Sequence, residues 1–224
     1  MKVTAGFFIK REDAMKNCVK SFVSFALFIL IAGCVPAHWA HYDIGLYTVE
    51  RPAQARERYG ESKIMKVQEE GVEKYYFEDE MVKIIWIPTP FQISFILTNK
   101  TSHSIKILWD EAAYVDENGV SHRVMHSGVK YIDRNNPQPP TVVVRKGTVS
   151  DLVFPTDYVY YASGKYGGWR ETPLFPNSGY DIEELKEKAE KYVGKTLQVL
   201  LPLQIEGVVN EYIFSFKINS VKVK

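Results

Sequence analysis

The clearest strand pattern in this chain is Phe91-Gln92-Ile93-Ser94-Phe95-Ile96-Leu97-Thr98. Every second residue in it is large and apolar, which is the period of a β-strand with one buried face. The residues on that face are Phe91, Ile93, Phe95 and Leu97. The alternation therefore predicts a strand that packs one side against a core and leaves the other side more polar.

Short runs of β-forming residues recur along the rest of the chain. They lie at 82–87, 105–109, 113–116, 120–125, 141–145, 149–154, 196–203, 212–218 and 221–223. Asn118-Gly119 predicts a tight hairpin between the runs on either side of it. Lys146-Gly147 and Glu206-Gly207 predict two more hairpins in the same way. Because parallel strands would need a helix in each connection, the pattern predicts a mainly β fold. It favours an antiparallel two-sheet sandwich, loosely similar to the immunoglobulin-like class.

One segment has a helical pattern, near 181–193. Asp181 stands where an N-cap residue is expected, and Glu184 completes a capping box. The apolar residues at helical spacing are Ile182, Leu185, Ala189 and Tyr192. Gly194 fits the position just after the helix end. We expect this single helix to cross over one end or face of the sandwich.

An uncharged apolar run at 22–31 follows Lys16 and Lys20 and ends in Ile31-Ala32-Gly33-Cys34. A basic start, a short apolar core and small residues before a cleavage site are typical of an export signal. The run is too short for a membrane-spanning helix, which needs about 20 apolar residues. With the cysteine after the small residues, this segment resembles the lipobox signal peptide of bacterial lipoproteins.

The resemblance implies a division of the chain. Residues 1–33 would be a signal peptide, whose true start we expect at Met15 because the preceding residues include acidic ones. Cys34 would be lipidated and become the first residue of the mature protein. We expect 34–60 to be a tether and N-terminal segment, and 61–224 to be the sandwich domain.

The same resemblance implies a location. In lipoproteins of this kind, a residue other than Asp after the cysteine favours the outer membrane, with the domain facing the periplasm. Val35 stands there. Removal of residues 1–33 takes away five basic and two acidic residues, which changes the net charge from +1 to −2. The mature chain therefore has no basic excess to attract nucleic acid. It also has no free thiol, and no motif in it indicates a cofactor.

Candidate binding residues lie in an aromatic segment at 157–180, which we expect to be a long loop. They are Tyr160, Tyr161, Tyr166, Trp169, Arg170 and Phe175. Long loops in compact domains are often binding elements, and Tyr, Trp and Arg dominate the energetics of many interfaces. The alternative interpretation is that Trp169 and Phe175 plug the open end of the sandwich. Arg170 is expected to form a cation–π contact with Trp169 under either interpretation.

No catalytic or metal motif is evident. The chain lacks G-x-S-x-G, and His122 and His126 fall in a predicted strand, where four residues span about 13 Å, too far to share one metal ion. The first hypothesis is thus a lipid-anchored, non-enzymatic module that binds or scaffolds an envelope protein. The alternative is an envelope hydrolase that acts on glycan or peptide with carboxylates near 157–180. A purely structural spacer stays open as a third possibility.

Overall fold

A computed structural model describes residues 37–52, 59–69 and 72–224. The predicted signal peptide, its expected start at Met15 and the lipidation site Cys34 lie outside these residues. The strands are β1 (His38–Glu50), β2 (Lys63–Glu69), β3 (Val72–Glu78), β4 (Val82–Pro88), β5 (Ile93–Asn99), β6 (Ile105–Ile107), β7 (Ala113–Val115), β8 (Ser121–Met125), β9 (Thr141–Val143), β10 (Thr148–Pro155), β11 (Val159–Ala162), β12 (Gly168–Glu171), β13 (Ser178–Gly179), β14 (Thr196–Ile205) and β15 (Val208–Val223). The helix α1 (Ile182–Glu190) is the only α-helix that lies wholly within the described residues.

The described strands form one large antiparallel sheet and a separate hairpin, β11–β12. The order across the sheet is β13-β1-β15-β14-β7-β8-β10-β5-β4-β3-β2, while β6 pairs with β14 and with β9. The sheet curls, so that strands far apart in this order come into contact. The hydroxyl of Tyr75 on β3 donates to Asp43 on β1 at 3.4 Å. The prediction of a mainly β, antiparallel fold is confirmed.

The alternating stretch at 91–98 and the β-forming runs next to it contain strands, as predicted. On β5, the side chains of Ile93, Phe95 and Leu97 are buried, whereas Phe91 precedes the strand and is exposed. The hairpin at Asn118-Gly119 forms, with Val115 opposite Ser121. The hairpin of β14 and β15 also forms and continues to Val223 as one long strand.

One predicted hairpin is wrong. A turn exists at Lys146-Gly147, but β9 pairs with β6, and β10 pairs with β5 and β8. The physical reason is a buried side chain from β5. The amide of Asn99 binds the carbonyl oxygens of Val143 and Val144 at 3.1 Å each. The chain therefore leaves one part of the sheet before the turn and enters another part after it.

Residues 38–50, within the expected tether and N-terminal segment, are a strand. They form β1, which pairs with β15 along most of its length. Ala40, Ile44 and Leu46 are buried, and they supply the apolar contact that keeps this strand in place. Register shifts between Asp43 and Ile44 and again after Leu46 break the two-residue period. A bulged strand of this kind does not show as a clean alternation in sequence.

Aromatic side chains fill the space inside the curled sheet. Trp86 on β4 lies 4.7 Å from the ring of Phe214 and 5.4 Å from that of Phe216, both on β15. Phe77 on β3 meets Phe214 edge-on at 5.4 Å. Burial of each such ring stabilises the fold by about 1.5–3 kcal/mol. The core therefore joins the β3–β5 part of the sheet to the part formed by β14 and β15.

Helix α1 begins where its sequence predicts, but it ends at Glu190, three residues before the predicted end at Val193. The carboxylate of Asp181 accepts hydrogen bonds from the backbone N–H groups of Glu183 and Glu184. Leu185 and Ala189 are buried against Ala40 of β1. Among the residues that the structure describes, no helix is long and apolar enough to cross a membrane.

Candidate functional site

The predicted loop at 157–180 contains a β-hairpin instead. Strands β11 and β12 pair so that Tyr161 lies opposite Trp169 and Tyr160 lies opposite Arg170. Glycines make the connecting turn possible. A side chain at position 167 would collide with the carbonyl oxygen of Ala162 at 2.6 Å. The sequence showed aromatic residues among glycines but no alternation long enough to reveal two four-residue strands.

Trp169 is the centre of an aromatic cluster on one face of this hairpin. Its ring meets the ring of Tyr161 edge-on at 5.5 Å and that of Tyr131 at 6.1 Å. The guanidinium of Arg134 lies 4.9 Å from the indole centre, a distance typical of a cation–π contact. Tyr131 also donates its hydroxyl proton to Glu171, and this hydrogen bond raises the pKa of Tyr131. We name Tyr131, Arg134, Tyr161, Trp169 and Glu171 the hairpin cluster.

Arg170 contacts the backbone of the hairpin turn. Its guanidinium donates hydrogen bonds to the backbone carbonyl oxygens of Tyr166 at 2.8 Å and Trp169 at 3.1 Å. Arg170 therefore stabilises the hairpin turn, while Arg134 from the 131–134 segment supplies the cation over Trp169. Nothing in the local sequence indicated Arg134, because it comes from a segment 35 positions earlier in the chain.

The other predicted binding residues divide into surface and core. Tyr161 is 63% exposed, Tyr166 is 82% exposed, and Tyr160 is also exposed, whereas Trp169 is half-buried. Phe175 is buried and packs against Tyr42 and Tyr192. The segment is therefore divided: Phe175 fills the core, as the packing interpretation expects, and the hairpin carries the exposed rings.

A cavity of about 220 Å³ lies next to the hairpin cluster. Its wall includes Tyr131 and Glu171 from the cluster, together with His126. The imidazole of His126 stacks flat on Trp109, with ring centres 4.3 Å apart, and its Nδ1 lies 3.3 Å from a carboxylate oxygen of Asp151. The sequence interpretation missed this recess, because its wall comes from segments far apart in the chain.

The nearby His122 lies between two carboxylates. Its Nδ1 is 2.7 Å from Asp157, and its Nε2 is 3.5 Å from Asp116. Burial raises the pKa of Asp116, but hydrogen bonds from the N–H groups of Val120 and Asn118 and from His122 outweigh it, so the pKa is lowered overall. Both ring nitrogens of His122 therefore face acidic partners within the protein.

No family model, curated protein or solved structure matches this chain. Within the described ranges, no group of three or more His, Cys, Asp or Glu side chains is placed to hold a metal ion. The function must therefore be argued from the surface itself.

Proposed function

We propose that this protein is a lipid-anchored lipoprotein of the bacterial cell envelope that binds a partner protein without catalysing a reaction. In this proposal the curled sheet is a variant of the immunoglobulin-like two-sheet sandwich, whose layers meet through contacts such as Trp86 with Phe214. The partner binds at the β11–β12 hairpin. Fold alone implies no function, so the proposal depends on the hairpin surface.

The observation that supports the proposal is the set of exposed tyrosines on a hairpin that the hairpin cluster holds in place. Tyr161 and Tyr166 present most of their surface to solvent, while the cluster around Trp169 holds the strands beneath them in place. Tyrosine and tryptophan are enriched at interfaces because they offer large contact area at low cost in conformational entropy. Arg134, stacked on Trp169, adds a cation at the same place.

Anchoring is supported by the lipobox resemblance at Ile31-Ala32-Gly33-Cys34. In this proposal, a diacylglycerol on Cys34 holds the domain on the periplasmic face of the outer membrane. We expect Cys34→Ser to leave the precursor unprocessed and to release it from the membrane. Cys18→Ser is the matched control, since the other cysteine lies in the predicted signal peptide and should be dispensable. Retention of Cys34→Ser on membranes after a high-salt wash would contradict the anchor.

The partner surface is tested by site-specific photocrosslinking in intact cells. A photoreactive residue is placed at Tyr161 or Tyr166, and at Tyr47 as the control, because Tyr47 is 64% exposed but lies on β1. We expect one protein to crosslink through both hairpin positions and not through Tyr47. Trp169→Ala in the crosslinking protein should remove that product, because it takes away the centre of the hairpin cluster. Equal crosslinking at all three positions, or none at the hairpin, would refute the assignment.

One observation favours the alternative, an envelope hydrolase acting on glycan or peptide. Two carboxylates, Asp116 and Asp157, flank His122 beside the hairpin. However, a general base needs a nitrogen within reach of the substrate proton, and both nitrogens of His122 face these carboxylates. If the hydrolase proposal holds, peptidoglycan cleavage by the wild-type protein will disappear in His122→Ala. If binding alone is the function, no cleavage will be measured in either protein.

A further inference from the structure

Three strand ends meet at the edge of the sheet where β1 begins. Gly179 of β13 lies opposite His38, so Tyr180, the next residue, continues toward the start of the described chain. On the other side of β1, the backbones of Trp39 and Lys224 exchange two hydrogen bonds of 2.9 and 3.0 Å. This edge therefore brings together Trp39, Tyr180 and the end of β15.

Large apolar side chains are exposed at this edge. Trp39 is 49% exposed and Tyr180 is 75% exposed, and Ile182, the first residue of α1, is exposed as well. Charges of both signs accompany them, with Lys224 directly after β15 and Glu183 on α1. Trp and Tyr are the residues that favour the membrane–water interface, where an apolar ring and a polar group are both satisfied. Ala40 packs against α1, so its neighbour Trp39 lies on the opposite face of β1 from Ile182. We name Trp39 and Tyr180 the edge patch.

The chain length between this edge and Cys34 is short. Only Val35, Pro36 and Ala37 separate Cys34 from His38, the first residue of β1. At full extension a chain spans about 3.3–3.6 Å per residue, so a segment of this length reaches about 14 Å at most. The headgroup region of a bilayer is itself several ångströms thick on each side. A lipidated Cys34 would therefore leave no room for a flexible linker between the lipid and the domain.

We propose that the edge patch rests on the phospholipid surface, with Trp39 and Tyr180 in the headgroup region. This inference depends on the proposed lipidation of Cys34 and adds an orientation to it. The patch carries no excess of positive charge, so a zwitterionic membrane suffices. With the edge patch on the lipid, the β1–β13 end of the domain is held at the membrane surface, and the domain does not reorient freely about its anchor.

The four tryptophans of the chain allow a direct test. Trp86 and Trp109 are fully buried, which leaves Trp39 and the half-buried Trp169 accessible. The protein is expressed from its whole coding sequence, purified in its mature lipidated form and reconstituted into vesicles of brominated phosphatidylcholine, whose bromine atoms quench tryptophan emission on contact. We expect clear quenching in the wild type, loss of most of it in Trp39→Phe, and unchanged quenching in Trp169→Phe. Tyr180→Ala should weaken the quenching of Trp39.

Mass spectrometry of the same sample separates this inference from the function on which it depends. If Cys34 carries no lipid, the proposed anchoring and this inference both fall. If Cys34 is lipidated but brominated lipid does not quench the wild type, only the inference is overturned. Quenching that survives in Trp39→Phe and disappears in Trp169→Phe would also overturn it, because the hairpin and not the edge patch would then face the lipid.

Discussion

Asn99, at the end of β5, is the side chain whose replacement should most sharply test how the sheet is connected. It is fully buried. Its amide nitrogen donates to the carbonyl oxygens of His103, Val143 and Val144 at 2.7, 3.1 and 3.1 Å. Its amide oxygen accepts from the N–H and the hydroxyl of Thr101 at 2.9 and 2.8 Å. One side chain therefore holds β5, the following turn and the end of β9 together.

Asn99→Asp changes one NH₂ group into an oxygen while keeping the size of the side chain. The new oxygen would face three carbonyl oxygens with no proton to donate. A buried acceptor that loses its partner costs about 1–3 kcal/mol. With three such groups we expect the free energy of unfolding to fall by about 3–5 kcal/mol, a large part of the 5–15 kcal/mol that is typical of a domain.

The same substitution should make stability depend on pH. Burial beside carbonyl oxygens raises the pKa of the introduced carboxyl in the folded state above its value in the unfolded chain. The folded variant then binds the proton more tightly, so the damage from Asn99→Asp is smallest at acidic pH and grows as pH rises through the raised pKa. A protonated carboxyl can also donate to one of the three carbonyls.

Urea denaturation at about pH 5 and about pH 8 measures both effects. Asn135→Asp is the matched control, because Asn135 is exposed and the same change there should leave stability nearly unaltered. Asn99→Ala reports the loss of the hydrogen bonds without an added charge and should show no new pH dependence. If Asn99→Asp unfolds at the wild-type urea concentration, or if its penalty does not change with pH, the hydrogen bonds assigned to Asn99 are wrong.

Four further substitutions test other parts of the structure. Burial raises the pKa of Asp79 even though Arg51 lies 3.6 Å away, so stability should decline as pH rises through the raised pKa; Asp79→Asn should remove this decline in urea midpoints measured across pH. Phe175→Ala should destabilise the protein by about 3–5 kcal/mol, whereas Tyr166→Ala should change thermal stability by less than about 0.5 kcal/mol. Equal effects of these two would contradict the division between core and surface. Asp181→Ala should cost about 1 kcal/mol by removing the helix cap, and an unchanged melting temperature would show that the cap is dispensable.

Elements with a local cause could be predicted from the sequence. The strand at β5 follows from the alternation of large apolar residues, and the hairpin at Asn118-Gly119 follows from the backbone preferences of those two residues. The start of helix α1 follows from Asp181, whose carboxylate caps it. In each case the interactions that favour the element are made by the few residues that form it.

Partners that lie far apart in the chain could not be predicted in this way. The register shifts of β1 remove the alternation from which a strand could be predicted. The strand forms because it pairs with β15 and packs against the core. A turn forms at Lys146-Gly147, but the strands on either side of it pair with different neighbours. Asn99 contributes to this by binding the carbonyl oxygens at the end of β9.

The β character of the domain, its helix and the resemblance of its first residues to a lipoprotein signal can all be derived from local patterns in the chain. Only the tertiary structure decided which aromatic residues of 157–180 are exposed, since Phe175 and Tyr166 look alike in sequence but only Phe175 reaches the core. The physical reason is that burial depends on the surfaces that surround a side chain. Those surfaces come from distant parts of the chain, whose positions no local pattern contains.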